Sequence, residues 1–181
     1  GKVLLADGAT GTNYFAMGLT SGEPPEFWIT DHPDRVESLH QQFVDAGSDI
    51  ILTNTFGCNR HRLKLHNAQD RTFELAKGAA QIARKVADAS PRPVVVAGSV
   101  GPTGELFEPL GALTEADAID AFAEQIEGLK AGGADVAWIG SAWKGRATEL
   151  LPTTGSAAAV HRYPCSAFDD WPLSRLRGAV G

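Results

Sequence analysis

The chain repeats one pattern in two places, Val44-Asp45-Ala46-Gly47-Ser48-Asp49-Ile50 and Lys130-Ala131-Gly132-Gly133-Ala134-Asp135-Val136. In both stretches a helical pattern ends, a glycine marks a turn, and an aspartate precedes an apolar run. The recurrence indicates a chain built from repeating units, in each of which a helix leads into a buried strand.

Working outward from these stretches, four short apolar runs occur in the first 139 residues. They lie at residues 3–6, 50–52, 94–97 and 136–139. Each run is apolar throughout instead of alternating, which is typical of strands buried on both faces. Such strands alternating with helices predict a parallel α/β sheet covered by helices. Two architectures remain open, a doubly wound open sheet and part of an eightfold βα barrel.

Helices are predicted between these strands. Asp34 with Glu37 three residues later resembles a capping box, and helical spacing of apolar residues continues until Gly47. A second helical pattern covers residues 75–86. A third begins after Thr114, which has the character of an N-cap residue.

Composition excludes several classes of protein. The 181 residues include 16 Lys and Arg against 22 Asp and Glu, a net charge of −6, without basic runs that would bind nucleic acid. No apolar stretch reaches the length that crosses a bilayer. The two cysteines, Cys58 and Cys165, form no disulfide framework, so we expect a reducing compartment, the cytoplasm.

Function in parallel α/β folds is carried by the loops after the strands. The first three loops, at residues 7–12, 53–56 and 98–105, combine small residues, hydroxyls and an acid. This combination suits a small zwitterion such as an amino acid, whose carboxylate would take amide and hydroxyl groups of residues 8–12 and whose ammonium would need Asp7. The alternative role of Asp7 is to cap a turn. The Gly8-x-x-Gly11 spacing is not a nucleotide fingerprint.

Two further features have a structural and a functional interpretation. Cys58, His61 and His66 are metal-ligand types, but their spacing spreads them over about 140° of a helix, which disfavours a shared metal. Trp28 follows a proline-rich stretch and is expected to pack at a rim. Its alternative role is to offer a cation-π face to a quaternary ammonium.

Three segments together resemble the homocysteine S-methyltransferase family. Within the family, the resemblance is strongest to the bacterial members that are similar to betaine-homocysteine methyltransferase. They are Leu5-Ala6-Asp7-Gly8-Ala9-Thr10-Gly11-Thr12, Thr53-Asn54-Thr55-Phe56 and Ala97-Gly98-Ser99-Val100-Gly101-Pro102-Thr103-Gly104. The resemblance covers residues 3–139 and implies the first four units of a TIM (β/α)8 barrel, that is, a half barrel. It also implies a homocysteine site formed by Asp7, Gly8, Thr10, Gly11, Thr12, Asn54, Thr55, Ser99 and Gly101.

The resemblance further implies the chemistry. Family members transfer a methyl group from a small donor such as betaine to the homocysteine thiol, giving methionine, with a zinc ion held by three cysteines that keeps the sulfur as thiolate. Those cysteines come from the second half of the barrel, and this chain has no counterpart to them. A family glutamate that receives the amine would fall at Gly140-Ser141. We therefore predict no metal ligand here and no turnover.

The sequence changes character after residue 139. Residues 140–181 are rich in glycine, proline and serine and have no periodic pattern. We expect residues 1–139 to form the homocysteine-binding half barrel, and residues 140–181 to be an irregular tail, frame-shifted or disordered. Two alternatives to an inactive methyltransferase stay open. One is a non-catalytic binding or structural module that forms a homo-oligomer through exposed strand edges, and the other is a doubly wound nucleotide-binding domain.

Overall fold

The computed structural model of the chain describes residues 3–140 and 157–160. Within them, four strands form one parallel sheet in the order β1-β2-β3-β4. The strands are β1 (Ile50–Leu52), β2 (Val95–Val100), β3 (Val136–Ile139) and β4 (Ala157–Val160). The helices are α1 (Thr10–Ala16), α2 (Trp28–Asp31), α3 (Pro33–Asp45), α4 (Arg60–Leu63), α5 (Thr72–Ala89) and α6 (Glu115–Ala131). None of these helices is long and apolar enough to cross a membrane.

The prediction of a parallel α/β sheet is confirmed. Helices α4 and α5 connect β1 to β2, and α6 connects β2 to β3. The carboxyl ends of all four strands therefore lie at the same edge of the sheet. A doubly wound sheet reverses its strand order at a switch point, and no reversal occurs among the described strands. This sequential order favours the second of the two architectures, a βα barrel.

The prediction of a buried first strand at residues 3–6 is wrong. This segment makes a single parallel bridge, from Ala6 to Ile50, and the Leu5 carbonyl accepts the amides of Asp49 and Ile50. Val3 is 88% exposed and Leu5 is 56% exposed. The segment lies at the edge of the described sheet and has a partner strand on one side only, which leaves its apolar side chains uncovered.

Helix boundaries follow the predictions with one correction. The capping box of Asp34 and Glu37 is wrong, because α3 begins at Pro33 and the Glu37 carboxylate instead accepts a bond from Lys85 Nζ at 2.8 Å. Helices α5 and α6 cover the predicted patterns. The N-cap role of Thr114 is confirmed, since its side chain accepts the Asp117 amide at 3.1 Å.

The structure differs from the predicted strands in two places. Strand β2 continues to Val100, because Ser99 and Val100 pair with Trp138 and Ile139 of β3. Ser99 therefore belongs to a strand and not to the following loop. Strand β4 lies in the segment predicted to be irregular, and its sequence of three alanines and a valine carries no strand signal. The division at residue 139 stays a prediction, since residues 141–156 and 161–181 lie outside the described ranges.

Helix α6 lies unusually close to α5. A Cβ atom added at Gly132 would be 2.3 Å from the Lys77 carbonyl oxygen, and one added at Gly128 would be 2.8 Å from the Phe73 carbonyl oxygen. Only glycine allows such backbone contact. The facing side of α5 is also made of small buried residues, Ala76 among them. The two helices thus pack with their backbones in direct contact, and both lie against β2.

The repeated pattern has the same backbone structure in both places. Gly47 and Gly133 have positive φ values of 103° and 95°, which side chains disfavour. The amide of the residue after each glycine returns to a carbonyl five positions earlier, Ser48 to Phe43 and Ala134 to Leu129, both at 3.0 Å. These contacts end each helix in a Schellman motif and aim the chain into the next strand.

The repeated aspartates join neighbouring strands. Asp49 Oδ2 accepts the Leu5 amide at 3.0 Å, and Asp135 Oδ2 accepts the Val96 amide at 2.7 Å. Asp135 therefore holds β2, and Asp49 holds the segment that makes the bridge from Ala6 to Ile50. An arginine accompanies each aspartate, with Arg84 Nη1 at 2.9 Å from Asp135. Arg92 Nη1 is 3.5 Å from Asp49.

Candidate functional site

A cavity of about 580 Å³ opens at the carboxyl edge of the sheet. Its walls come from residues 8–11, 22–26, 52–57, 62–63, 65–66 and from Ser99. Six of the predicted site residues line it, namely Gly8, Thr10, Gly11, Asn54, Thr55 and Ser99. The structure thus brings the three polar segments of the sequence to a single place.

Three predicted site residues do not line this cavity. Asp7 lies behind the wall, where its Oδ2 atom accepts the Leu52 amide at 2.8 Å. Thr12 is exposed on α1. Gly101 is buried, and a Cβ atom there would be 2.3 Å from the Phe56 carbonyl oxygen. Gly101 therefore allows the loop after β2 to pack directly against the end of β1.

The carboxyl group of Asp7 has unusual electrostatics. Burial raises its pKa to about 7, although the bond from the Leu52 amide lowers it in part. Near neutral pH this carboxyl group is therefore divided between its protonated and ionised forms. A cation bound beside it would favour the ionised form.

The segment predicted to be a loop from residue 7 to residue 12 is shorter than expected. Helix α1 begins at Thr10, and the Asn13 side chain donates to the Ala9 carbonyl at 2.6 Å. The prediction of a loop is wrong for residues 10–12, because they form the first turn of a helix. Thr10 and Gly11 face the cavity from there.

Hydroxyl groups under the cavity form a closed hydrogen-bond network. The Thr55 hydroxyl donates to the Ser99 carbonyl at 2.7 Å, and the Ser99 amide donates to Thr53 Oγ1 at 2.9 Å. The two threonine oxygens are 2.6 Å apart. Because Thr55 has already given its proton to Ser99, the Thr53 hydroxyl must be the donor in that contact. Gln125 on α6 adds a bond to the Thr55 carbonyl at 2.7 Å.

Replacing Thr55 by valine is expected to lower the free energy of unfolding by about 1–3 kcal/mol, since the buried Thr53 hydroxyl would lose its acceptor. Urea denaturation at pH 7 measures this difference. Thr12→Val, which changes an exposed threonine on a helix, is the matched control and should have little effect on stability. Equal stability of the two variants would contradict the inferred network.

The segment before α2 is fixed to the end of β1 by two bonds. Asn54 Nδ2 donates to the Pro25 carbonyl at 2.7 Å, and the Gly57 amide donates to Glu26 Oε1 at 2.7 Å. Glu26 lines the cavity and is only 6% exposed. Burial raises the pKa of its carboxyl group, partly offset by bonds from its own amide and from Gly57.

Glu26 is a cavity residue that the sequence did not predict. The only local signal is a carboxylate directly after Pro24 and Pro25, in a stretch that has no periodic pattern of apolar residues. Arg62 and His66 were also not predicted to face the cavity. Both are exposed and give one side of it a basic character. The Arg62 amide donates to Asn59 Oδ1 at 3.1 Å, which begins helix α4 and sets the position of Arg62.

The metal-ligand types of the sequence are not brought together. Cys58 is fully buried, its Sγ atom lies 3.7 Å from the Thr72 carbonyl, and burial raises its thiol pKa. His61 Nδ1 contacts Glu105 Oε1 at 3.2 Å. Among residues 3–140, no three His, Cys, Asp or Glu side chains are grouped as metal ligands. Cys165 lies outside the described residues.

Trp28 is not available to a ligand. It is 1% exposed in α2, and its Nε1 atom donates to Glu23 at 3.1 Å. The guanidinium of Arg35 lies 4.9 Å from its ring centroid. Tyr14 and His32 pack on it at ring-centroid distances of 5.3 Å and 5.2 Å. The rim and quaternary-ammonium interpretations of Trp28 are both wrong, because its ring is enclosed by the protein itself.

Comparison with known proteins agrees with these features. Residues 4–144 match the family model described as homocysteine S-methyltransferase. Methionine synthase of Mycobacterium tuberculosis (strain ATCC 25618 / H37Rv) is 38% identical over 143 residues, and that of Mycobacterium leprae (strain TN) is 34% identical. Each alignment covers 74% of this chain and 12% of the relative.

Solved structures share the fold. Homocysteine methyltransferase MmuM from Escherichia coli superposes in its oxidized form with a TM-score of 0.66 at 22% identity, over 75% of this chain and 52% of that one. The metallated form gives 0.66 at 21% identity, over 76% and 53%. The chain thus spans about half the length of these structures and a small part of the methionine synthases.

The strand order and the cavity at the carboxyl edge define a parallel α/β protein that corresponds to a fragment of the MmuM structure. With the match over residues 4–144, the chain belongs to the homocysteine S-methyltransferase family. The family resemblance predicted from the three sequence segments is thereby confirmed.

Proposed function

We propose that this chain supplies the homocysteine-binding half of a homocysteine S-methyltransferase, which methylates the homocysteine thiol to give methionine. The observation that carries the proposal is the cavity at the carboxyl edge, where three separate polar segments converge. Family membership supports the same substrate class. In the complete enzyme, the sheet would continue into a (β/α)8 barrel.

The cavity offers groups for each part of the substrate. Thr10 and Gly11, with Gly8 beside them, present hydroxyl and amide groups to a carboxylate, and Thr12 follows on the same helix. The predicted partner of the ammonium is Asp7, whose carboxyl group bonds the Leu52 amide behind this wall. The predicted residues of the opposite wall are Asn54, Thr55, Ser99 and Gly101.

Zinc is the metal implied by the family resemblance, and one solved relative is a metallated form. The described residues do not fit such a site. Cys58 is a buried thiol bonded to a carbonyl, and within residues 3–140 no ligand triad forms around it. No step of the reaction is therefore derived through zinc on these residues.

The proposed partners are small molecules only, homocysteine and a methyl donor such as betaine. We expect the 181-residue chain to bind homocysteine without converting it, because its sequence holds two cysteines where the family site needs three. The cytoplasmic location stays a prediction.

Calorimetric titration of the 181-residue chain with reduced L-homocysteine tests the proposal. One saturable site per chain is expected, with weaker binding of glycine, which lacks the thiol side chain. Absence of binding at millimolar homocysteine would overturn it. A parallel incubation with homocysteine and betaine, assayed for methionine, is expected to remain at background, and turnover would contradict the expected inactivity.

A further inference from the structure

Glu26 is a buried carboxyl group without a cationic partner. Its Oε1 atom accepts the Gly57 amide at 2.7 Å, and no ion pair reaches it within the described part of the chain. Arg62 and His66 act on it only at longer range. Burying an ionised carboxylate costs free energy unless a cation or further donors accompany it. Glu26 lines the cavity, so a ligand there can supply that cation.

Tyr14 is a second buried polar group whose electrostatics Asp7 and Glu26 influence. Its side chain is fully buried on α1, and its hydroxyl has no hydrogen-bond partner among the residues described. Burial raises the pKa of this hydroxyl, and the charges of Asp7 and Glu26 raise it further. Tyr14 is therefore within electrostatic reach of both carboxyl groups. Tyr14 packs in the core with Trp28 and Val36 and does not line the cavity, so it makes no direct contact with a ligand there.

The chemistry of these groups selects the kind of cation. A primary ammonium has three N–H donors and needs several oxygen acceptors. Glu26 and Thr10, which both line the cavity, carry oxygen acceptors of that kind. A quaternary ammonium or sulfonium has no such donors and is recognised by aromatic faces instead. The indole of Trp28 is already covered by Arg35.

We propose that Glu26 binds the primary ammonium of the amino acid that occupies the cavity and thereby selects amino acids over thiols without an amine. This inference rests on the proposed function for the identity of the amino acid as homocysteine. The segment carrying Glu26 is held in place by Asn54 and Gly57, so its position does not depend on the ligand.

Glu26→Gln tests the proposal, because glutamine keeps an oxygen acceptor for the Gly57 amide and removes the charge. Calorimetry should show about 10- to 100-fold weaker binding of homocysteine, the range for loss of a charged hydrogen bond. Affinity for 4-mercaptobutanoate, which lacks the amine, should not change. The preference of the protein for homocysteine over this analogue should therefore fall by the same factor. Glu37→Gln, which removes a charge outside the cavity, is the control.

A second variant keeps the proposal testable if Glu26→Gln does not fold. Gly57→Ala places a Cβ atom 2.8 Å from Glu26 Oε1 and so displaces the carboxyl group while keeping its charge. It should also reduce the preference for homocysteine over 4-mercaptobutanoate. Circular dichroism establishes that each variant is folded.

The outcomes separate the two proposals. If the wild-type chain binds no homocysteine, the proposed function fails. If the wild type binds homocysteine and a folded Glu26→Gln or Gly57→Ala variant binds it equally well, the role of Glu26 is overturned and the function stands. If Glu26→Gln weakens betaine and spares homocysteine, Glu26 recognises the methyl donor, and the assignment to a primary ammonium is wrong.

Discussion

Asparagine in place of Asp7 is expected to stabilise the protein at alkaline pH and to weaken its binding of homocysteine. The pKa of Asp7 is about 7 in the folded chain and 3.8 as its ordinary value. The folded state therefore holds the proton more tightly than the unfolded state does. The stability contributed by the protonated carboxyl is complete below pH 3.8 and is lost as the pH rises through 7.

The size of this effect follows from the shift. The pKa of Asp7 lies about three units above its ordinary value, and each unit corresponds to about 1.4 kcal/mol. The upper bound on the pH-dependent change in stability is therefore about 4 kcal/mol, and the partial exposure of Asp7 reduces it. The asparagine side chain stays uncharged at every pH, so the Asp7→Asn variant should be more stable than the wild type at pH 8.5 and not at pH 3.5. Homocysteine affinity should fall at least about tenfold, because the ammonium would lose an anionic partner.

Urea unfolding of the wild type and Asp7→Asn at several pH values measures the stability difference, and calorimetry measures binding. Asp34→Asn, at an exposed position on α3, is the control for removal of an aspartate charge. If the stability curves of wild type and Asp7→Asn run parallel between pH 3.5 and 8.5, the account of Asp7 is wrong.

The double variant Gly128→Ala and Gly132→Ala is expected to lose most of the stability of the domain. Both added methyl groups would meet the α5 backbone or Ala76 at less than 3 Å, and backbone cannot yield without moving the helix. Overpacking of this kind costs about 1–3 kcal/mol at each site, hence on the order of 4 kcal/mol for the pair. This is a large fraction of the stability of an ordinary domain.

Thermal unfolding followed by circular dichroism measures that loss. Gly11→Ala is the matched control, because Gly11 is also helical, a methyl group added there has no atom within 4 Å, and its φ is ordinary. Alanine there should be neutral or stabilising, since it favours the helix. A double variant that unfolds at the wild-type temperature would show that α5 and α6 are not in close backbone contact.

The strands and helices of the repeating units are predictable because their signals are local. Strands 50–52 and 136–139 are contiguous apolar runs, and burial on both faces requires such runs. Thr114 is a capping residue by its own chemistry. The exposure of Val3 and Leu5 was not predictable in this way, because it depends on which strand lies on the far side of the segment.

Part of the site was also predictable, since the rule that strand ends carry function points to Gly8, Asn54 and Ser99, which all line the cavity. What each side chain does depends on contacts between distant segments. Thr55 resembles a ligand-binding hydroxyl in the sequence, but its proton is used by Ser99, 44 positions away. Glu26 is held by the amide of Gly57, 31 positions further on. No local pattern encodes these pairings.

The aspartates at 49 and 135 have an evolutionary consequence. Each one reaches back from the start of its own strand to the backbone of the strand before, and the bond it makes involves an amide instead of a particular side chain. A segment that carries this aspartate can therefore attach to any strand that precedes it. Duplication of the segment in a gene would reproduce the attachment without a matching mutation elsewhere, which is a route by which a sheet of such units can lengthen.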